Sequence, residues 1–279
     1  TLLSEALFPG HPLGREVLGD MATVEAMSRD DIAEFFAHWY RADNLVVTAA
    51  GRLDHEQLVE ALAPVLGELP SGSRPERVGP TAAPLASGQR GDDIEQVHVA
   101  LGWRGLDQHD DDRYAWALLN QALGGGMASR LFQQVREERG LCYSVYSWVS
   151  SYSDAGMAGV YSATKAERLP ELLEVMEREI ADVAAKGITQ AELAVALGYT
   201  EGSVQLGLED SGSRMARLAR MLLARDELVT VEEQLDRYRA VTLDDVARVA
   251  EAVYGQPRTL SVVGPVDGEV LGSGLSEGE

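Results

Sequence analysis

Residues 28–51 read SRDDIAEFFAHWYRADNLVVTAAG, and residues 242–264 read TLDDVARVAEAVYGQPRTLSVVG. Laid together with one gap, the two stretches share Asp30 with Asp244, Asp31 with Asp245, Ala33 with Ala247, Tyr40 with Tyr254 and Gly51 with Gly264. Each opens on a Ser or Thr that can cap a helix, continues with an acidic first turn, and carries an apolar face ending in Tyr. Each then passes through a short linker into a β-rich run closed by Gly. The separation of about 214 residues sets the length of the repeating unit. Only some 70 residues precede the end of the first copy, which predicts the tail of one domain followed by one whole domain, with roughly 140–150 residues of the first domain lying upstream.

Working outward from the first copy, the capped helix has Ile32, Phe35, Phe36 and Trp39 at helical spacing. Asn44–Ala50 reads as a strand, and His55–Leu66 as a second helix carrying Leu58, Leu62 and Val65. Residues 70–93 are dense in Pro, Gly and Ser without periodicity and read as a linker. The expected organisation is therefore a domain remnant over 1–69, a linker over 70–93, a complete domain over 94–265 and a flexible tail over 266–279.

The complete domain opens on a strand in which Val97, Val99, Leu101 and Trp103 alternate with His98, Ala100 and Gly102. A helix over about Tyr114–Leu123 runs into Gly124-Gly125-Gly126, and a further helix over about Ser129–Arg139 stops at Gly140. Leu141–Val149 and Met157–Ala163 read as an antiparallel strand pair. Helices follow over Glu167–Lys186, after the Thr189/Glu192 capping box, and over about Ser211–Ala224. Strands and long helices in blocks, joined by hairpin logic, predict an α+β fold with helices packed on a mostly antiparallel sheet.

Composition narrows the function. A net charge of −21 excludes a basic nucleic-acid-binding surface; it serves solubility and would steer cationic peptides. No run of about 18 apolar residues is present, so no membrane span is encoded. One cysteine, Cys142, excludes an internal disulfide and fits a reducing, cytoplasmic compartment. The five histidines, His11, His38, His55, His98 and His109, never stand in H-x-x-x-H or H-x-x-E-H spacing, so no helix offers two imidazoles to a metal. His109 beside Asp110–Asp112 reads as a solvated acidic turn. Without G-x-S-x-G there is no nucleophile elbow, and a lone Cys in a β-rich run reads as a small buried hydrophobe.

Two features remain. Gly124, Gly125 and Gly126 read either as a bend between helices or as a loop over which a peptide backbone slides. Arg136, near a helix end, and Tyr143, near the start of a strand, flank the turn at Gly140. They read either as a solvated basic residue and an ordinary strand aromatic, or as a guanidinium and a phenol aimed into one cavity, where forked charged donors and a neutral donor suit a peptide carbonyl or carboxylate.

The stretches HPLGREVLG at 11–19, FFAHWY at 35–40, LVVTAAG at 45–51 and especially LGGGMASRLFQQVREERGLCYSVYS at 123–147 resemble the pitrilysin/insulinase family of inverted-motif zinc metallopeptidases, in particular the bacterial proteins similar to mitochondrial processing peptidase. The resemblance spans about residues 1–265. It implies two homologous α+β domains, of which the first holds zinc through H-x-x-E-H and a distal Glu. Those ligands would lie upstream of Thr1, so no residue here inherits a metal role. The corresponding place in the second domain, LLNQALGG at 118–125, has neither His nor Glu. The family places an Arg and a Tyr seven residues apart against the substrate backbone, and Arg136 and Tyr143 match that spacing; Gly124–Gly126 resemble in shortened form a glycine-rich loop implicated in substrate passage. The resemblance thus implies part of a zinc-dependent endopeptidase working in a closed two-domain chamber. This chain would supply substrate grip and chamber wall and be inactive alone. Its partners would be a peptide substrate, its own first domain, and a second copy or related subunit. The rival implication is a zinc-less partner subunit that binds peptides without cutting them.

Overall fold

The computed structural model describes residues 2–72, 76–81 and 87–266. Parts of the expected linker, 73–75 and 82–86, and the expected tail beyond residue 266 lie outside the described residues. In chain order the helices are α1 (Leu2–Leu7), α2 (Met21–Ala26), α3 (Arg29–Trp39), α4 (His55–Leu66), α5 (Arg113–Gly124), α6 (Leu169–Lys186), α7 (Gln190–Gly207), α8 (Ser211–Arg225), α9 (Val231–Arg239) and α10 (Leu243–Tyr254). The strands are β1 (Gly88–Gly91), β2 (Val97–Gly105), β3 (Ser144–Ser151), β4 (Gly156–Thr164) and β5 (Thr259–Gly264). The chain divides into two compact units. The first comprises Thr1–Arg15, Pro80–Gly202 and Val231–Glu279, and the second Glu16–Gly79 and Ser203–Thr230.

The first unit is built on one sheet with strand order β1-β5-β2-β4-β3. Every neighbouring pair is antiparallel except β1 with β5, so the α+β reading with a mostly antiparallel sheet holds. Alternation along β2 sends Val97, Val99, Leu101 and Trp103 into the main core. There they meet α5, α6 and α10, whose apolar residues recur at helical spacing: Leu172, Met176, Ile180 and Val183 of α6, and Val246, Val249, Ala250 and Val253 of α10, are all buried. Each of these Val, Leu, Ile and Met side chains contributes on the order of 1.5–3 kcal/mol by leaving water. Trp103 meets Tyr254 edge to face at 5.1 Å. The opposite face of the sheet holds a second, smaller cluster in which Leu3, Leu7 and Phe8 of the α1 region pack with Met157 of β4. Gly102 makes room for this contact, since a Cβ there would stand 2.7 Å from Leu3 and 3.1 Å from Leu7.

Two local expectations are revised within this unit. The stretch 129–139 is not a regular α-helix: Phe132–Glu137 is a π-helical turn, with the Glu138 N–H donating to the Gln133 carbonyl at 2.9 Å. And the Pro/Gly/Ser-rich stretch contains β1, ordered by parallel pairing of Gly88–Gly91 with Ser261–Gly264.

The second unit is helical. Ser28 and Asp31 form the capping box of α3, as the sequence predicts, and α4 spans the expected His55–Leu66. The stretch from Asn44 to Ala50 departs from expectation. Its backbone beyond Asn44 forms no ladder among the described residues, because a strand needs a neighbour to take up its N–H and C=O groups. Ile32, Phe35 and Phe36 of α3 are correspondingly exposed.

Candidate substrate-binding site

The segment joining α5 to β3 carries the residues singled out by sequence. Leu131 and Val135 are fully buried and anchor the π-helical turn; Arg136, the next residue, faces outward. Gly140 then reverses the chain at φ +59°, a backbone conformation that Gly adopts at little cost. Its N–H donates to the Arg136 carbonyl at 3.0 Å, and the Leu141 N–H donates to the Val135 carbonyl, also at 3.0 Å. The new strand is fastened by Arg168 Nη1 donating to the Gly140 carbonyl at 2.7 Å and by Thr164 Oγ1 donating to the Leu141 carbonyl at 2.6 Å.

This turn brings Arg136 and Tyr143 together. Arg136 Nη1 donates to the Tyr143 carbonyl at 2.7 Å, and the guanidinium lies 4.6 Å from the Tyr143 ring centroid and 4.8 Å from that of Phe132. The cation is thus held over two aromatic faces, an arrangement that limits its rotamers while leaving further N–H donors for a ligand. Glu137 stands 3.8 Å from Arg136 Nε, at the outer limit of an ion pair. Tyr143 is 79% exposed. Cys142, between the two elements, is half-buried, and burial pushes its thiol up despite the opposing influence of Ser162 and Arg136; such a thiol is a poor nucleophile.

Two of the three glycines are closely packed. Gly124 ends α5 against β3, where a Cβ would stand 2.5 Å from the Ser147 nitrogen. Gly125 caps the helix, and a Cβ on it would meet Gln121 Cα at 2.6 Å. None of Gly124, Gly125 and Gly126 has a positive φ.

An aromatic patch escaped the sequence reading. On the sheet face opposite the main core, Tyr146 of β3 pairs directly with Tyr161 of β4, their ring centroids 5.1 Å apart. Tyr161 shares a 2.7 Å hydrogen bond with His98 Nδ1 of β2, and burial raises the Tyr161 hydroxyl's pKa. Trp148 lies 5.8 Å from Tyr146 over Gly159, where a Cβ would stand 2.2 Å from the indole. The only signal in sequence was alternation, which placed His98 on the face away from the core. Assembling the patch needs the register of three strands.

Among the described residues no group of three His, Cys, Asp or Glu could hold a metal ion, and no helix is long and apolar enough to cross a membrane.

The architecture is that of a peptidase's inactive-type domain. A solved structure described as the peptidase M16 inactive domain from Pseudomonas fluorescens matches 95% of this chain and 64% of its own, at 27% identity and a TM-score of 0.85. The chain belongs to the peptidase M16 family: the model described as the peptidase M16 inactive domain matches residues 26–197, in keeping with the resemblance drawn from the motifs. An uncharacterized zinc protease of Streptomyces coelicolor is 41% identical over 95% of this chain, and one of Mycobacterium tuberculosis is 38% identical over 93%. The chain spans about 60% of the length of each of these two relatives.

Proposed function

We propose that this chain is the substrate-gripping portion of a longer zinc metalloendopeptidase. In this reading residues 1–69 are the remnant of a first, catalytic-type domain and residues 94–265 form a second domain that walls a peptide chamber. Family membership and the zinc-protease names of its relatives support the class of parent protein. The described residues do not fit a zinc site, so the reading assigns this chain no step of bond cleavage. The observation that carries it is the fixed Arg136 guanidinium, bonded to the Tyr143 carbonyl and stacked on its ring, beside an exposed phenol whose hydroxyl has no partner among the described residues. Such a pair can donate to a peptide carbonyl from two directions, a charged fork and a neutral hydroxyl. The same reading makes the partners a peptide substrate and a second copy or related subunit, in a cytoplasmic setting.

The test is kinetic and uses the full-length protein. Arg136→Ala and Tyr143→Phe each lower kcat/KM on peptides, by on the order of 2–4 kcal/mol of transition-state stabilisation at the upper end, with the thermal midpoint essentially unchanged. Unaltered kinetics in both variants would return the pair to a structural role. The match to the family's inactive-domain model also suits a partner subunit that holds peptides without cutting them. Full-length protein that binds peptide through Arg136 but shows no turnover selects that reading.

A further inference from the structure

The Arg136 guanidinium has a rival partner beside it. Its Nη1 is bonded to the Tyr143 carbonyl at 2.7 Å, yet the carboxylate of the next residue, Glu137, is half exposed and stands 3.8 Å from its Nε. Adjacent Arg–acid pairs do close elsewhere in this chain. Arg29 and Asp30 meet at 2.9 Å, and Arg178 and Glu179, inside α6, at 3.2 Å. Attraction between opposite charges grows as they approach, so Arg136 and Glu137 have a reason to close as well. In the structure the cation lies the other way.

What distinguishes Arg136 is the pair of rings against it, and the two rings are not equivalent. Tyr143 is 79% exposed and is itself a donor of the grip. Phe132 is partly buried and lies four residues before Arg136 in the same π-helical turn. Its neighbour Leu131 and Val135, the residue before Arg136, are fully buried and hold that turn in place. The guanidinium carbon stands 4.8 Å from the Phe132 ring centroid. A phenylalanine ring offers a cation its negative face and no hydrogen bond, so Phe132 can hold Arg136 in position without using up any of its N–H donors.

We propose that Phe132 is a positioning residue for the grip: its ring face keeps the Arg136 guanidinium toward Tyr143 and away from Glu137. This rests on the grip reading given above. Phe132 needs no contact with the peptide. Arg136 divides between a position ready to donate to a peptide carbonyl and a position paired with Glu137, and the affinity for peptide scales with the ready fraction. A ring-face attraction of the size usual for partly exposed cations shifts that division by about two- to five-fold.

The experiment uses full-length protein and an internally quenched fluorogenic peptide, read as kcat/KM, or a fluorescein-labelled peptide read as Kd by anisotropy if no turnover occurs. Phe132→Leu and Phe132→Met, which keep bulk but lose the ring, each weaken the reading by about two- to five-fold. Phe132→Tyr, which keeps the ring, stays at the wild-type value. Two double variants separate positioning from a merely structural role. In Phe132→Leu/Glu137→Gln most of the loss returns, because the competing carboxylate is gone, whereas Glu137→Gln alone changes little. In Phe132→Leu/Arg136→Ala the loss is no greater than in Arg136→Ala, because Phe132 acts only through Arg136. A Phe132→Leu defect that Glu137→Gln leaves untouched, or one that adds in full to Arg136→Ala, overturns the proposal. Wild-type behaviour of both Phe132→Leu and Phe132→Met while Arg136→Ala is impaired also overturns it and leaves the grip standing. If Arg136→Ala itself changes nothing, the grip reading falls and takes the positioning role with it. Should Phe132→Leu fail to fold, the same double variants are built on Phe132→Met.

Discussion

Gly51 and Gly264 hold nearly the same backbone angle, φ +143° and +142°, although they lie in different units of the chain. Each closes the apolar run that follows a helix with a Ser or Thr capping box: Ser28 with Asp31 in α3, Thr242 with Asp245 in α10. The internal repeat is therefore a repeat of local conformation. Packing separates the copies. Val246, Val249, Ala250 and Tyr254 of α10 are buried, whereas their counterparts Ile32, Phe35, Phe36 and Tyr40 are exposed; at the second pair the contrast is 1% against 61%. The apolar pattern is present in both, but in the first copy no described sheet takes it up.

The two glycines differ in surroundings, which separates backbone strain from steric clash. A Cβ on Gly264 would stand 2.7 Å from the Gln96 carbonyl oxygen and 2.9 Å from Val97 Cα, whereas one on Gly51 would meet nothing within 4 Å. Gly51→Ala costs about 1–3 kcal/mol from the angle alone. Gly264→Ala costs more, because backbone atoms must also move. Urea unfolding of the two variants checks this; equal losses would show that the close approach at Gly264 carries no weight.

Tyr254 is buried beside Trp103, and its hydroxyl has no hydrogen-bond partner among the described residues. Burial alone drives its pKa upward. Tyr254→Phe removes a polar atom that has lost its water without replacement, so the variant is at least as stable as wild type, by up to about 1–3 kcal/mol. A clear loss of stability on chemical denaturation would mean that the hydroxyl is satisfied in solution.

Arg130 ties α6 to the start of α7. Its Nε and Nη2 donate to the two carboxylate oxygens of Glu192 at 2.8 and 2.9 Å, and its Nη1 donates to Asp182 at 2.8 Å. Burial alone would raise the Glu192 carboxyl, but Arg130 and Thr189 outweigh it and hold the pKa low. Lys186, against burial and with help from Arg130, does the same for Asp182. Carboxyls depressed in the folded state stabilise it above their ordinary range, and that contribution is lost as pH falls below about 4. Arg130→Met lowers stability at pH 7 by about 1–3 kcal/mol, less than for a fully buried pair because Asp182 is partly solvated. It also flattens the acid limb of the stability–pH curve; an acid limb unchanged from wild type would contradict the network.

Cys142 is the single cysteine, and burial raises its thiol. At pH 7–8 it alkylates with iodoacetamide several-fold more slowly than an exposed thiol, and at the ordinary rate once urea unfolds the chain. Rapid modification of the folded protein would place the thiol in a more open setting.

Much of the fold was legible because it is local. Capping boxes at Ser28, Thr189 and Thr242 mark helix starts through bonds that span three residues, and alternation along β2 and apolar spacing along α6 each require only one element. The turn at Gly140 brought Arg136 and Tyr143 near one another in the sequence reading. Sequence did not show that Arg136 bonds the Tyr143 carbonyl, since that depends on the π-helical turn rotating the side chain back over the chain. α9 was not singled out, and β1 sat inside a stretch read as linker, because Gly88–Gly91 acquires its order from β5 more than 170 residues away.

Sequence by itself determined the family, the repeat, several of the long helices and the absence of metal-ligand spacing, all of which follow from patterns along one chain. Tertiary structure alone decided which of two matching apolar helices is buried, gave Gly124 its place against Ser147, and gathered His98, Tyr146, Trp148 and Tyr161 onto one sheet face. Those outcomes depend on strand register and on close approach between segments distant in sequence, and neither is written in the periodicity of any one of them.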